Sequence, residues 1–174
     1  NEINRGKGFA IRAGVKKASK ENIILFDGDL ELNIEEIPKL ITCYENFKCD
    51  ALVGNRWGIN NNSIFNFNIF GNQLVNYLFN ILFSSKYNDV LCCAKILEKK
   101  LFKNLEIKSN GFSFEIETMA KLAKKKLKIK EINIRYNRRT INEGKKIKTS
   151  HIWIILFTMF KVKLLFKPFV IRKP

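Results

Sequence analysis

The chain is poor in the residues that staple small domains together. It has one histidine, His151, and four cysteines, Cys43, Cys49, Cys92 and Cys93, with no C-x-x-C spacing. That argues against a structural zinc site, which draws four such ligands at short spacing. At 174 residues a disulfide scaffold is not needed either, so the thiols read as reduced, with Cys92-Cys93 a pair of small buried groups. Three prolines and nine glycines exclude collagen-like and linker-dominated chains. The first twenty residues are polar and basic, which excludes a signal peptide there. No apolar run reaches the roughly 20 residues of a membrane span. The best candidate starts at Ile152 and is interrupted by Lys161 and Lys163. A P-loop is absent, and a single histidine gives no Ser/His/Asp or Cys/His arrangement.

What is present is apolar and basic. Hydrophobic residues make up 46% and aromatics 12%, enough for a sizeable core and too much for a disordered chain. The formal net charge is +16. It fits nucleic acid, an anionic membrane or a phosphorylated ligand, and equally a Lys-rich composition with solvated side chains, so charge alone selects nothing. No helix-turn-helix, zinc-finger or RNP-like pattern supports a nucleic-acid partner.

Apolar periodicity outlines an α/β domain. Residues 9–19 read as a short helix. Residues 22–26 read as a strand buried on both faces, as in a parallel sheet. A helix over 35–47 and a second buried strand over 51–54 follow. Over 63–84, Ile64, Phe67, Phe70, Leu74, Leu78, Ile81 and Leu82 recur at helical spacing, with Asn on much of the other face. Such a helix either packs in the core or lies against a bilayer. Residues 88–97 read as a loop entering a strand or short helix. A helix over 114–126 and a half-exposed strand over 129–136 come next, then a basic loop over 137–148. Lys121, Lys124, Lys125 and Lys128 read as one solvated stripe. Residues 1–150 form the domain and 151–174 a basic amphipathic tail.

Two segments carry chemistry. Asp27-Gly28-Asp29-Leu30-Glu31 follows the first strand, where ligands of α/β sheets bind. Two carboxylates one residue apart suit a hard cation such as Mg²⁺ or Mn²⁺, or they are a solvated acidic turn. An EF-hand is excluded, because Leu32 and Pro38 stand where its Gly and Glu are required. Asn4-Arg5-Gly6-Lys7-Gly8 precedes a helix and reads as an anion-binding N-terminus or simply a tight turn. Arg56, Arg138, Arg139, Lys145 and Lys146 fall in loops, where they are phosphate-binding forks or solvated charge.

Taken in order, these segments resemble the family 2 glycosyltransferases of the GT-A fold, and among them the dolichol-phosphate mannosyltransferase and bacterial polyprenyl-phosphate group. Asn4-Arg5-Gly6-Lys7-Gly8 with Arg12-Ala13-Gly14 resembles N-x-G-K-G…R-x-G. Asp27–Glu31 matches D-x-D-L-E, and Gly54-Asn55-Arg56 resembles G-S-R. Asp89, Cys92, Cys93 and Lys95 resemble T-D-x-x-T-C-Y-K. Gly111-Phe112 with Phe114-Glu115-Ile116-Glu117 resembles G-F-x-F-E-x-E. Glu131-Ile132-Asn133-Ile134 with Tyr136, Arg138 and Arg139 resembles E-x-P-I-x-Y-x-x-R, and Glu143–Ile147 completes the series. The departures are Asn55 for Ser, Asn88 for Thr, Cys93 for Tyr, Asn133 for Pro, and Thr149-Ser150-His151 for an aromatic-Asp-Gly ending.

The resemblance implies an α/β GT-A (Rossmann-like) mixed sheet flanked by helices, with amphipathic interface helices. Family members begin with strands that hold the base and ribose; no such segment precedes Asn4, which implies a domain incomplete at its N-terminus. The implied reaction is inverting transfer of a sugar from a nucleotide-sugar to a polyprenyl phosphate on the cytoplasmic face of a membrane. Lys7, Asp27 and Asp29 would hold the donor. Asp27, Asp29 and Glu31 would hold Mg²⁺ or Mn²⁺. Asp89 would line the sugar site, and Arg56, Arg138, Arg139, Lys145 and Lys146 would hold the acceptor phosphate. The acceptor needs aim and charge neutralisation more than a base, since a phosphate monoester has its second pKa near about 6. The helix over 63–84 and the segment 151–166 would dock on the bilayer. The alternatives are transfer to a glycan hydroxyl with Asp89 as base, a basic nucleic-acid-binding module, and a non-catalytic membrane-bound remnant.

Overall fold

The computed structural model describes residues 3–58, 67–138 and 151–167. Its elements are α1 (Lys7–Lys17), β1 (Asn22–Leu25), α2 (Glu36–Phe47), β2 (Ala51–Asn55), α3 (Phe67–Phe83), β3 (Lys95–Glu98), α4 (Lys99–Asn104), α5 (Phe114–Lys124), β4 (Ile129–Asn133) and α6 (His151–Leu165). The strands form one mixed sheet in the order β1-β3-β2-β4. β3 is antiparallel to both neighbours, and β2 and β4 are parallel.

This order corrects the reading of β1 as a parallel strand covered on both faces. It pairs antiparallel with β3, Leu25 opposite Lys95, with Asn22 exposed and Ile24 partly covered. A continuous apolar run does not distinguish the two kinds of pairing. β2 is the strand buried along its whole length, because it lies between β3 and β4.

The topology brings the functional segments together. β1, β2 and β4 run the same way, so their carboxyl ends lie along one edge of the sheet. β3 runs the other way, so the segment that leads into it arrives at that same edge. Residues 26–32, 56–58, 88–94 and 134–138 therefore converge there.

α5 is the central helix. Every residue from Phe114 to Leu122 is buried, including Glu115, Glu117, Thr118 and Lys121. The expected solvated lysine stripe is in fact a set of helix-end and ion-pair contacts. Lys121 is 5% exposed and pairs with Glu117 at 2.7 Å. The Lys124 ammonium donates to the Val162 and Lys163 carbonyls at the end of α6. Lys125 lies over the Phe166 ring. Lys128 donates to the Phe47 and Lys48 carbonyls at the end of α2. Helix C-termini leave carbonyls unpaired, and ammonium groups satisfy both their hydrogen bonds and their dipole.

α6 and α3 close the far side. Ile155, Met159 and Val162 bury one face of α6 against α5 and α3. Gly71 of α3 faces Ile152, where an added Cβ would come within 2.8 Å. The asparagines of α3 are not a featureless polar face. Asn76 and Asn80 hold the Tyr87 carbonyl at 2.6 and 2.7 Å, and Asn76 accepts the Val90 amide at 3.0 Å, which staples the 84–90 loop to the helix.

Candidate active site

The start of α1 supplies Lys7. Its ammonium donates to Asp27 Oδ2 at 2.7 Å and pairs with Glu115 Oε1 at the start of α5. Burial acts to lower the Lys7 pKa, but the Glu115 and Asp27 carboxylates outweigh it and hold the ammonium above the usual lysine value. Gly6 and Gly8 make the position reachable. A Cβ would fall 2.4 Å from the Asn110 carbonyl oxygen at Gly6 and 2.1 Å from that of Ser109 at Gly8, and Gly6 has φ +89°. The two glycines thus admit the 109–110 backbone itself, where the sequence alone pointed to a ligand or a turn. Gly8 N donates to the Asn110 carbonyl at 2.8 Å, and Arg12 donates to the Ser109 carbonyl at 2.7 Å. Glu117 fixes that loop in turn, accepting the Lys108 and Ser109 amides.

The acidic turn after β1 is bound to the end of β4. Asp29 Oδ1 accepts the Glu31 amide at 3.2 Å. Glu31 Oε2 accepts the Tyr136 hydroxyl at 3.1 Å, its carbonyl accepts the Asn137 amide at 2.8 Å, and Leu32 bridges to Tyr136. Burial, with the Glu31 carboxylate adding and Arg56 opposing, pushes the Tyr136 hydroxyl up to about 12, so it is a donor at neutral pH. Among the described residues no group of three His, Cys, Asp or Glu side chains could hold a metal ion, so Asp27, Asp29 and Glu31 do not form a ready-made cage. Their chemistry nonetheless fits Mg²⁺ or Mn²⁺, which are commonly bound by one or two carboxylates plus substrate phosphates. In the structure Asp27 Oδ2 is engaged by Lys7, Asp29 Oδ1 by the Glu31 amide, and Glu31 ties the turn to Tyr136.

Arg56, at the end of β2, is held on several sides. Its Nε donates to Asp89 Oδ2 at 2.7 Å, its Nη2 to Oδ1 at 2.8 Å, and its amide to Oδ2 at 3.0 Å. The guanidinium also faces the Trp57 and Tyr136 rings, 5.5 and 5.2 Å from their centroids. Asp89 is 2% exposed. The Asp89 charge raises the Arg56 pKa well above normal despite burial, which by itself lowers it. Asp89, expected to line a sugar site, and Arg56, expected to grip a phosphate, are therefore one ion pair. Glu131 of β4 accepts the Asn88 and Asp89 amides behind it.

Two departures from the family pattern meet. Asn55 Nδ2 donates to Asn133 Oδ1 at 3.0 Å, and Asn133 Nδ2 donates to the Gly58 carbonyl at 3.1 Å. Arg138 follows Tyr136 and acts on its hydroxyl electrostatically. Arg139, Lys145 and Lys146 lie outside the described residues. Glu115, Glu131 and Tyr136 stand in the motifs that carry the resemblance, and what gives them a place at the site is a partner distant in sequence: Lys7, the Asn88 and Asp89 amides, and Glu31.

The family model described as Glycosyl transferase family 2 matches residues 1–105. An uncharacterized protein of Methanocaldococcus jannaschii, MJ0544, is 30% identical over 146 residues, 79% of this chain and 63% of that protein. Glucosyl-3-phosphoglycerate synthase of Mycobacterium tuberculosis, solved with Mn²⁺, uridine-diphosphate and phosphoglyceric acid, superposes with a TM-score of 0.66 at 16% identity, covering 93% of this chain and 56% of that one. S. aureus TarS, solved with UDP-GlcNAc, gives 0.52 at 13% identity, covering 96% and 49%. These structural likenesses establish the fold, a mixed sheet flanked by helices as in the GT-A neighbours. The chain spans a little under two thirds of the curated relative and about half of the solved chains.

Proposed function

The chain belongs to glycosyl transferase family 2, and from that premise we propose that it forms part of an enzyme that transfers a sugar from a nucleotide-sugar to a polyprenyl phosphate at a membrane surface. The observation that carries the acceptor half is a double apolar stripe. On α6, Trp153, Phe157, Phe160 and Leu164 are all exposed at i, i+4, i+7 and i+11, opposite the face that packs on α5. On α3, Phe70, Leu74, Tyr77 and Ile81 repeat the same spacing and exposure. A helix that is apolar all round belongs in a core or against lipid. Patches of this kind on a protein surface mark an interaction site. Lys161, Lys163 and Lys167 border the α6 stripe, as anionic headgroups require. No helix among the described residues is long and apolar enough to cross a membrane, so the contact would be peripheral.

In this reading Lys7, Asp27 and Asp29 face the donor diphosphate. A divalent ion, when bound, would be held by Asp27 and Asp29 and would neutralise charge on the departing diphosphate. Lys7 supplies a fixed positive charge at the same place. Arg56 is locked in orientation by Asp89, so it offers a preorganised edge rather than a mobile fork. Preorganised charge needs no reorganisation when charge develops, which is why positioning and electrostatics account for much of catalysis. Arg138, with Arg139, Lys145 and Lys146, would meet the acceptor phosphate. With both Asp89 oxygens engaged by Arg56, a base role for Asp89 is disfavoured, and so is the hydroxyl-acceptor alternative.

The test uses the full-length protein with membranes, labelled nucleotide-sugars, polyprenyl phosphate and Mg²⁺ or Mn²⁺. Label is expected in the organic phase and is expected to vanish with Asp29→Ala. Label confined to a water-soluble glycan or phosphorylated small molecule would replace the lipid acceptor, and no transfer at all would overturn the enzyme reading.

A further inference from the structure

Glu131 has no assigned part in transfer, yet its carboxylate accepts from three N–H groups of two consecutive residues. It accepts the Asn88 amide at 2.9 Å on both oxygens, the Asn88 side-chain amide at 2.9 Å on Oε2, and the Asp89 amide at 3.0 Å on Oε1. Hydrogen bonds of this charge-assisted kind are about twice as strong as neutral ones. The next residue's carboxylate is the one that holds Arg56 from two sides. On the opposite flank Asn76 and Asn80 anchor Tyr87 and Val90 to α3. The 87–90 turn is thus suspended between a helix and a strand, with Asp89 at its middle.

We infer that Glu131 is a positioning residue for the Asp89–Arg56 pair: by gripping two consecutive amides it sets where the Asp89 carboxylate stands, and through it the Arg56 guanidinium at the acceptor side of the site. This rests on the glycosyltransferase reading for its consequence, and on geometry alone for the coupling. Burial of Glu131 and the neighbouring Asp89 charge both raise its pKa, opposed by the amide hydrogen bonds. Three N–H donors meet the Glu131 charge and Arg56 meets that of Asp89, which offsets the repulsion between the two carboxylates. Tyr87 is the titratable neighbour on the turn that feels the Glu131 charge.

A charge-repulsion cycle tests it without touching the core. Asn88 is exposed, so Asn88→Asp leaves folding intact while setting a carboxylate against Glu131. Amide exchange at Asp89 and Arg56 is expected to accelerate together in Asn88→Asp. Both are expected to return to wild-type protection in the double variant with Glu131→Gln, whose amide can donate to the new carboxylate. In the full-length enzyme, transfer by Asn88→Asp is expected to fall about a hundredfold in kcat, as misplacement on the order of 1 Å does, with donor KM unchanged and recovery in the double variant. Exchange at Arg56 that ignores Asn88→Asp, or a kcat loss that the second change does not restore, would overturn the positioning role. Coupled exchange across the variants, together with a wild-type protein that transfers no sugar, would instead overturn the glycosyltransferase reading and leave the positioning intact.

Discussion

Arg56 and Asp89 meet in parallel, Nε to Oδ2 at 2.7 Å and Nη2 to Oδ1 at 2.8 Å, while the Arg56 amide adds a third bond to the same carboxylate. The pair is largely withdrawn from water, with 13% and 2% of the two side chains exposed. Removing one partner leaves the other charged and buried. Asp89→Ala is expected to cost about 3–5 kcal/mol, read as a lower urea midpoint. Arg56→Lys cannot reproduce the two-pronged geometry and is expected to lower transfer with a smaller loss of stability. An unchanged midpoint for Asp89→Ala would show that the pair contributes no net stability.

The glycines of α1 differ in what surrounds them. Gly8→Ala would drive a Cβ into the Ser109 carbonyl, and at Gly14 nothing lies within 4 Å. Gly8→Ala is expected to destabilise by about 1–3 kcal/mol and to shift Lys7 from Asp27. Gly14→Ala lies within α1 and is expected to stabilise by about 0.5–1 kcal/mol. Thermal melting of the two variants should move in opposite directions.

Glu117 predicts the acid limb of stability. Burial alone would raise its pKa, but hydrogen bonds from Lys121 and from the Ser109 and Lys108 backbone hold it below the ordinary glutamate value. An unfolded glutamate titrates near about 4.3. The stabilisation is therefore complete above that pH and is lost as pH falls through the lower folded value. Glu117→Gln is expected to melt lower at neutral pH and to lose less than wild type between pH 6 and pH 3. Parallel melting curves against pH would contradict this.

The exposed apolar stripes of α3 and α6 give a prediction independent of catalysis. Trp153 and Phe157 are 73% and 70% exposed, so replacing both by Ser leaves the core untouched. Cosedimentation with vesicles containing anionic lipid is expected to fall in the double variant at unchanged melting temperature. Binding that is equal in both proteins would remove the acceptor argument drawn from these helices.

The acidic turn, the arginine after the second buried strand, and the helix pattern of 114–126 were legible in the sequence because each depends on neighbours close along the chain. Apolar periods of 3.6 and short buried runs report which face is covered, and they placed α1, β1, α2, β2, α3, α5 and β4, while leaving β3 open between strand and short helix and not marking α4. The antiparallel insertion of β3 was not legible, since a four-residue apolar run looks the same in either pairing. Nor were the partners of charged side chains. Lys121 and Glu117 are four residues apart and could be read as a surface pair, yet they are buried against the 106–109 segment, where Lys121 donates to the Glu106 carbonyl and Glu117 accepts the Lys108 and Ser109 amides. Gly8 and Ser109 lie about a hundred residues apart and touch only when the chain is folded. Local sequence thus determined which residues form strands, helices and turns, because those choices are made within a few bonds. Tertiary structure alone decided which charges meet, because Lys7 with Glu115, Arg56 with Asp89 and Glu131 with Asn88 are each brought together by the sheet edge and the helices packed beside it.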